Sequence, residues 1–206
     1  MVHKLPEPSR RRGRPPAYDR EAALAALTQV FWDHGFSATS LDMLAASTAM
    51  NRPSLYAAFG DKKAMYLAVL DRYRRDAEAQ LRAVLGSDDN VAAAIAALLA
   101  ASIDFYTIGA SGPRGCLAVC TAANETIADA DVRGALAAVL ETMDGVITDR
   151  LHIGIAAGQL PADFDAPGRA ALVSAMVHSL AVRARAGAAP DQLRGLAGIA
   201  AGVLLA

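Results

Sequence analysis

Apolar residues recur along the chain at intervals of three and four, and no stretch shows a convincing period-two alternation. Ala23, Leu24, Leu27, Val30, Phe31 and His34 form a first stripe, with Asp19 as N-cap and Gly35 as stop. A short helix is predicted over 41–47, with Leu41, Leu44 and Ala45 inward and Thr39 or Ser40 as cap. A third is predicted over 52–58, capped by Asn51. Pro53 sits in its first turn, where a missing N–H costs nothing. Gly60 closes this helix and Asp61 opens a long one to about Leu85. Further helices are predicted near 90–107, 115–127, 129–158, 167–187 and 190–205, separated by Gly- and Pro-containing breaks. The expectation is an all-α fold of about nine helices.

Composition narrows how such helices can pack. The chain is 54% hydrophobic but only 5% aromatic, so alanine, leucine and valine must build most of the core. The apolar run from Val91 to Ile103 is shorter than the ~20 residues a membrane-spanning helix needs. The beginning of the chain has no apolar signal region, and the two cysteines, Cys116 and Cys120, read as free thiols in a reducing compartment. These features predict a soluble, cytoplasmic protein without a membrane partner.

A net charge of −1 conceals a division. Residues 1–75 hold 12 basic and 7 acidic side chains, and the remainder hold 8 and 14. A basic head on an acidic body points to a head that meets an anion. Residues 1–17 lack periodic apolar positions and read as a flexible basic arm ending in "RRRGRPP". Arg12 and Arg14 there suit a narrow minor groove, although such a segment taken alone reads first as a solvated tail.

The stretch "NRPSLYAAFGDKK" (Asn51 to Lys63) is too polar for an ordinary buried helix. Two short helices joined by about four residues, after a longer helix, describe a helix-turn-helix unit whose second helix enters the major groove. Asn51, Arg52, Pro53 and Ser54 then lie at the leading end, where side chains reach base edges or phosphates. Leu55, Ala58 and Phe59 hold the helix to the body. The Tyr56 hydroxyl can reach a phosphate, and the Ala57 methyl suits a thymine methyl. Lys62, in the first turn of the next helix, can join backbone N–H groups around one phosphate, as can Thr39 and Ser40.

The residues Phe31 to Leu70 resemble the DNA-binding domain of the TetR/AcrR family of bacterial transcriptional regulators. The motif is carried by Gly35-Phe36, Thr39-Ser40, Leu55-Tyr56, Phe59, Lys62 and Met65. The resemblance implies a DNA-binding domain over 18–63, with the helix-turn-helix at about 39–58, and a ligand-binding and dimerisation domain over 64–206. It further implies a homodimeric repressor released from a palindromic double-stranded operator by a small effector. Relatives carry an "RGRP" arm, as here at Arg12 to Pro15, which favours the minor-groove reading. Two departures stand out: Ala49 fills a turn position usually occupied by Gly, and Ala57 and Ala58 replace bulkier residues.

In the second half, Val173, Met176, Val177, Leu180 and Ala181 form one stripe. Leu193, Leu196, Ala197, Ala200, Val203 and Leu204 form another. By the family's architecture these predict a four-helix dimer interface; the alternative is intrachain core. "GPRGCLAVCTAANE" (Gly112 to Glu125) resembles a copper-responsive, ComR-like subgroup of the family. Cys116 and Cys120 at i, i+4 could hold a soft cation such as Cu(I) or sense redox state, with Met143, His152, Met176 and His178 as further donors. Alternatively the cysteines are small hydrophobes, the methionines fill gaps and the effector is organic. The candidate pocket residues are Phe105, Cys116, Cys120, Met143, His152 and Met176. No phosphate loop, nucleophile elbow or dense metal-ligand cluster is present in the sequence, so neither an enzyme nor a resident cofactor is expected. A ligand-independent architectural DNA binder is the remaining alternative.

Overall fold

The computed structural model describes residues 19–109 and 112–205. Among them the chain forms α1 (Arg20–Ala38), α2 (Leu41–Thr48), α3 (Arg52–Phe59), α4 (Lys62–Leu85) and α5 (Val91–Thr107). After these come α6 (Leu117–Ala122), a 3-10 turn (Glu125–Ile127), α7 (Ala130–Ala156), α8 (Ala166–Arg185) and α9 (Pro190–Leu204). The all-α expectation of nine α-helices holds for the described residues.

The first four helices start where short polar side chains can satisfy free backbone N–H groups. Asp19 accepts from Glu21 and Ala22, Ser40 from Met43, Asn51 from Ser54 and Asp61 from Ala64. Gly35 interrupts α1 with a φ of 73°, which turns the chain into a last turn before α2. Leu27, Phe31, Leu44, Leu55 and Tyr66 are fully buried where α1 to α4 meet. The Tyr66 ring lies 5.0 Å from Phe31 and 5.1 Å from Phe36. At its other end the Tyr66 hydroxyl pairs with Thr121 at 2.7 Å, tying this head to α6.

Helix α4 belongs to both halves and packs most extensively on α7. Lys63 near its start reaches Asp129 at 2.8 Å and Asp131 at 2.7 Å, while Arg82 near its end reaches Asp149 at 3.3 Å. The order of these pairs makes the two helices run in the same direction. Arg150 of α7, only 6% exposed, donates to the carbonyls of Leu85, Asp88 and Asp89 at 2.8–3.0 Å. A cation this deep needs such acceptors, and here they are the orphan carbonyls past the end of α4.

Between α5 and α6 the chain crosses the seam at Gly115. Trp32 Nε1 donates to the Gly115 carbonyl at 3.2 Å, and Arg185 donates to the Arg114 carbonyl at 2.9 Å. Gly115 has a φ of 65°, and a Cβ there would lie 2.6 Å from the Ala181 carbonyl. Only glycine fits.

Two sequence expectations need correction. The predicted helix over 115–127 is α6 followed by a separate 3-10 turn. Arg133 draws the Thr126 carbonyl outward with two bonds of 3.1 and 2.9 Å, and Glu125 accepts from Ser37, so the helix does not continue. The stripes expected to form a dimer interface are largely intrachain core. Val173, Val177, Leu180, Leu193, Ala197 and Ala200 are buried against α5, α7 and each other's helix. The large apolar residues left exposed on α8 and α9 lie outside those stripes, except for Val203, which belongs to the second. Leu172 and Val182 are 53% and 50% exposed, and Ile199 and Val203 are 71% and 62%.

Ala49 ends α2 in the left-handed conformation, with φ 53° and ψ 25°. A Cβ makes this region unfavourable by ~1–2 kcal/mol, which glycine avoids at some entropic cost. Ala49→Gly should therefore raise the unfolding free energy by ~0.5–1 kcal/mol in urea titrations; an unchanged or lower value would refute the strain.

Candidate nucleic-acid interface and interior cavity

Helix α3 divides cleanly between a buried and a free face. Leu55 and Phe59 are 0% and 7% exposed and Ala58 is half-buried. Arg52, Pro53, Ser54, Tyr56 and Ala57 are all exposed, Tyr56 at 43%. Arg52 is held by Asp42 of α2, with Nε at 3.0 Å from the carboxylate. Both partners are open to solvent, where water and salt screen such a pair, so a phosphate or base edge can compete for Arg52 at little cost. Asn51 and Ser40 use side-chain oxygens to cap α3 and α2, and both remain exposed at positively polarised helix starts.

Beside this face, Lys62 lies over the Phe36 ring at 4.5 Å with its ammonium 3.5 Å from the Ser37 carbonyl. Thr39 departs from the expectation. It is 2% exposed and donates its hydroxyl to Gly35, so it braces the kinked end of α1 rather than offering a phosphate donor. Arg12 and Arg14 lie outside the described residues.

In the body, α4, α5, α7 and α8 line an interior cavity of about 80 Å³ that opens to solvent at the exposed Gln80, Ala101 and Phe105. Leu81, Val84, Leu98, Met143 and Val177 supply its apolar wall, and Tyr73, Tyr106, Gln80 and Ser102 bring polar atoms to it. Phe105 stands at its edge, 41% exposed. Burial pushes the Tyr73 and Tyr106 hydroxyls well above their ordinary pKa, so both are neutral donors. Tyr73 spends its proton on Cys116 Sγ at 3.2 Å.

A family model for bacterial regulatory proteins of the tetR family matches residues 23–69, and one for a tetracyclin repressor-like C-terminal domain matches 92–197. The HTH-type transcriptional repressor ComR of Escherichia coli (strain K12) is 31% identical over 188 residues, which is 91% of this chain and 89% of ComR. The chain belongs to the TetR family. It is a DNA-binding transcriptional regulator and not an enzyme. A solved structure of the TetR-family regulator CifR, a cysteine mutant complexed with 26-bp double-strand operator DNA, superposes with a TM-score of 0.84. It is 32% identical, and the match covers 92% of this chain and 99% of that one. The transcriptional activator FasR of Mycolicibacterium smegmatis (strain ATCC 700084 / mc(2)155) is 32% identical over 113 residues, 54% of this chain and 52% of FasR. Among the described residues of this TetR-family chain, no helix is long and apolar enough to cross a membrane.

The candidate pocket residues are scattered by the fold. Phe105 and Met143 line the interior cavity, and Cys116 stands behind Tyr73. His152 is exposed, because α7 buries Ile147, Arg150, Leu151 and Gly154 on the opposite side. Met176 is half-buried on α8, away from the cavity lining. Cys120 faces a separate groove formed with Val119, Val182 and Arg185. Burial raises the pKa of both free thiols, which disfavours the thiolate a soft metal requires. Among the described residues no group of three or more His, Cys, Asp or Glu is placed to hold a metal ion. Tyr73, Gln80 and Tyr106 escaped the sequence reading. Their signal was slight: two of only five tyrosines, each among apolar helix positions.

His178 on α8 sits 3.3 Å from Met143 Sδ, and burial lowers its pKa against the opposing pull of Asp144. A depressed imidazole pKa means the unfolded chain takes up the proton first. The stability it contributes is therefore present above its ordinary pKa of ~6.5 and is lost as pH falls below that value. The urea midpoint of His178→Gln should decline less than that of the parent between about pH 7 and 5; parallel declines would refute the assignment.

Proposed function

We propose that this regulator is a homodimeric repressor that leaves a pseudo-palindromic operator when a small organic molecule enters the interior cavity. The observation that carries the reading is the double membership of α4. Met65 and Tyr66 of this helix are buried in the head, while Tyr73, Gln80, Leu81 and Val84 form one wall of the cavity. Ligand pockets commonly span ~300–1,000 Å³, so a cavity of about 80 Å³ admits an effector only if its walls separate. An effector would then bind the spread state better than the resting one, which is the differential affinity a population shift requires.

On DNA, α3 enters the major groove with Arg52, Ser54, Tyr56 and Ala57 toward the bases and their phosphates. Asn51, Ser40 and Lys62 hold the backbone at helix starts. Arg12 and Arg14 follow the adjacent minor groove. The exposed stripe of Leu172, Val182, Ile199 and Val203 supplies the two-fold contact, and Gly195 and Gly202 beside it permit close helix approach.

Genomic fragments selected by the purified protein should show footprints over a palindrome. Ile199→Asp should elute as a monomer and lose that symmetric protection. A dimeric variant, or enrichment without a palindrome, would overturn the symmetric reading. Lys62→Ala should weaken binding to all DNA sequences and reduce the salt slope by ~1 unit, as loss of one phosphate contact demands. An unchanged slope measured by fluorescence anisotropy would remove Lys62 from the interface.

A further inference from the structure

A second cavity, of about 180 Å³, opens on the seam where α1 meets α4. It shares Tyr73, Ala77, Gln80 and Phe105 with the interior cavity, so the Phe105 ring stands as a partition between the two. Its other walls are its own: Ala25, Gln29 and Trp32 from α1, with Arg72 and Asp76 from α4. Any molecule held there touches the head and the body together.

The chemistry of the walls selects an occupant. Trp32 lies 5.5 Å from Phe105 with the rings tilted by 55°, and 5.4 Å from Tyr73, edge to face. These surfaces favour another aromatic ring, packed edge-on or offset. The Trp32 N–H is already spent on Gly115 and the Thr28 hydroxyl on Leu24. The carboxamides of Gln29 and Gln80 are exposed and have no hydrogen-bond partner among the described residues, so each offers both a donor and an acceptor. At the rim, Arg72 is occupied by Asp76 at 3.3 Å and by the Glu21 carbonyl at 3.0 Å. An anionic ligand would meet the Asp76 carboxylate and a cationic one the Arg72 guanidinium, so the site favours an uncharged molecule. The volume is close to the ~150 Å³ of an apolar protein cavity that takes up one benzene.

We propose that the seam between α1 and α4 is a subsite for one uncharged aromatic ring bearing an amide-like hydrogen-bonding group. The ring packs against Trp32 and Phe105, and its polar edge meets Gln29 and Gln80. This subsite rests on the reading of the body as an effector-binding unit and adds a compartment that reaches the head. An effector filling both compartments would displace Phe105 and wedge α1 from α4 directly.

Trp32 is the one tryptophan in the sequence, so its fluorescence reports this seam without DNA present. Benzamide titrated into the full-length protein should give a saturable change in Trp32 emission. Ala25→Phe fills the seam cavity from α1 and does not line the interior one, so it should weaken the response at least tenfold. Gln29→Leu, at an exposed position, should weaken it several-fold with the fold intact, and it serves alone if Ala25→Phe does not fold. Met143→Phe, which lines only the interior cavity, should leave the response unchanged. A linear, unsaturable quench would overturn the subsite, as would an undiminished response in Gln29→Leu. Loss of the response in Met143→Phe alone would place benzamide in the interior cavity, overturning the subsite while leaving the effector reading intact. Failure of any molecule to release operator DNA would sink the repressor reading and leave a saturable Trp32 response standing.

Discussion

The arrangement depends on how α4 is held against α7. A helix shared between a DNA-binding head and a helical body can transmit position only if its ends are fixed differently. The end near Leu85 is anchored by a buried guanidinium on three backbone carbonyls, a contact that solvent ions hardly screen. The end near Lys63 rests on an exposed ammonium between Asp129 and Asp131. The two ends are thus held by contacts of different kinds. The cavity wall lies between them, at Tyr73 to Val84.

Much of this was legible in the sequence, and what was not has physical reasons. The starts of α1 to α4 follow from Asp19, Ser40, Asn51 and Asp61, because a cap is a contact between residues two or three apart. The free face of α3 was equally legible, since Leu55 and Phe59 are its bulky apolar residues among polar or small ones. The faces of α8 and α9 were not. Both helices carry Ala, Gly, Val and Leu around most of their circumference, so the contrast between faces is slight and periodicity picked stripes that are mostly buried, with Val203 the exposed exception. Leu172 and Val173 are chain neighbours of similar character, yet one is half-exposed and the other fully buried.

Tertiary contacts account for the remaining differences. Thr39 resembles a helix-start donor until the kink at Gly35 places a carbonyl within its reach. Cys116 and Cys120 share a helical spacing, but Cys116 turns to Tyr73 while Cys120 turns to a groove beside Arg185. The interior cavity is built from α4, α5, α7 and α8, and no local pattern records a space between residues as distant as Tyr73 and Met143.

The start of α4 sets two cations on different duties. Lys62 and Lys63 are adjacent in the chain and about 100° apart around the helix. Lys62 leans over Phe36 toward the end of α1, and Lys63 reaches across to α7. Which lysine looks which way is decided by the phase of the helix, and that phase is set by the cap at Asp61. Inserting or deleting one residue between Phe59 and Lys62 would turn the pair by about 100° and take at least one lysine away from its neighbour, even though composition and charge hardly changed. The junction between head and body therefore tolerates substitution far better than a change of length.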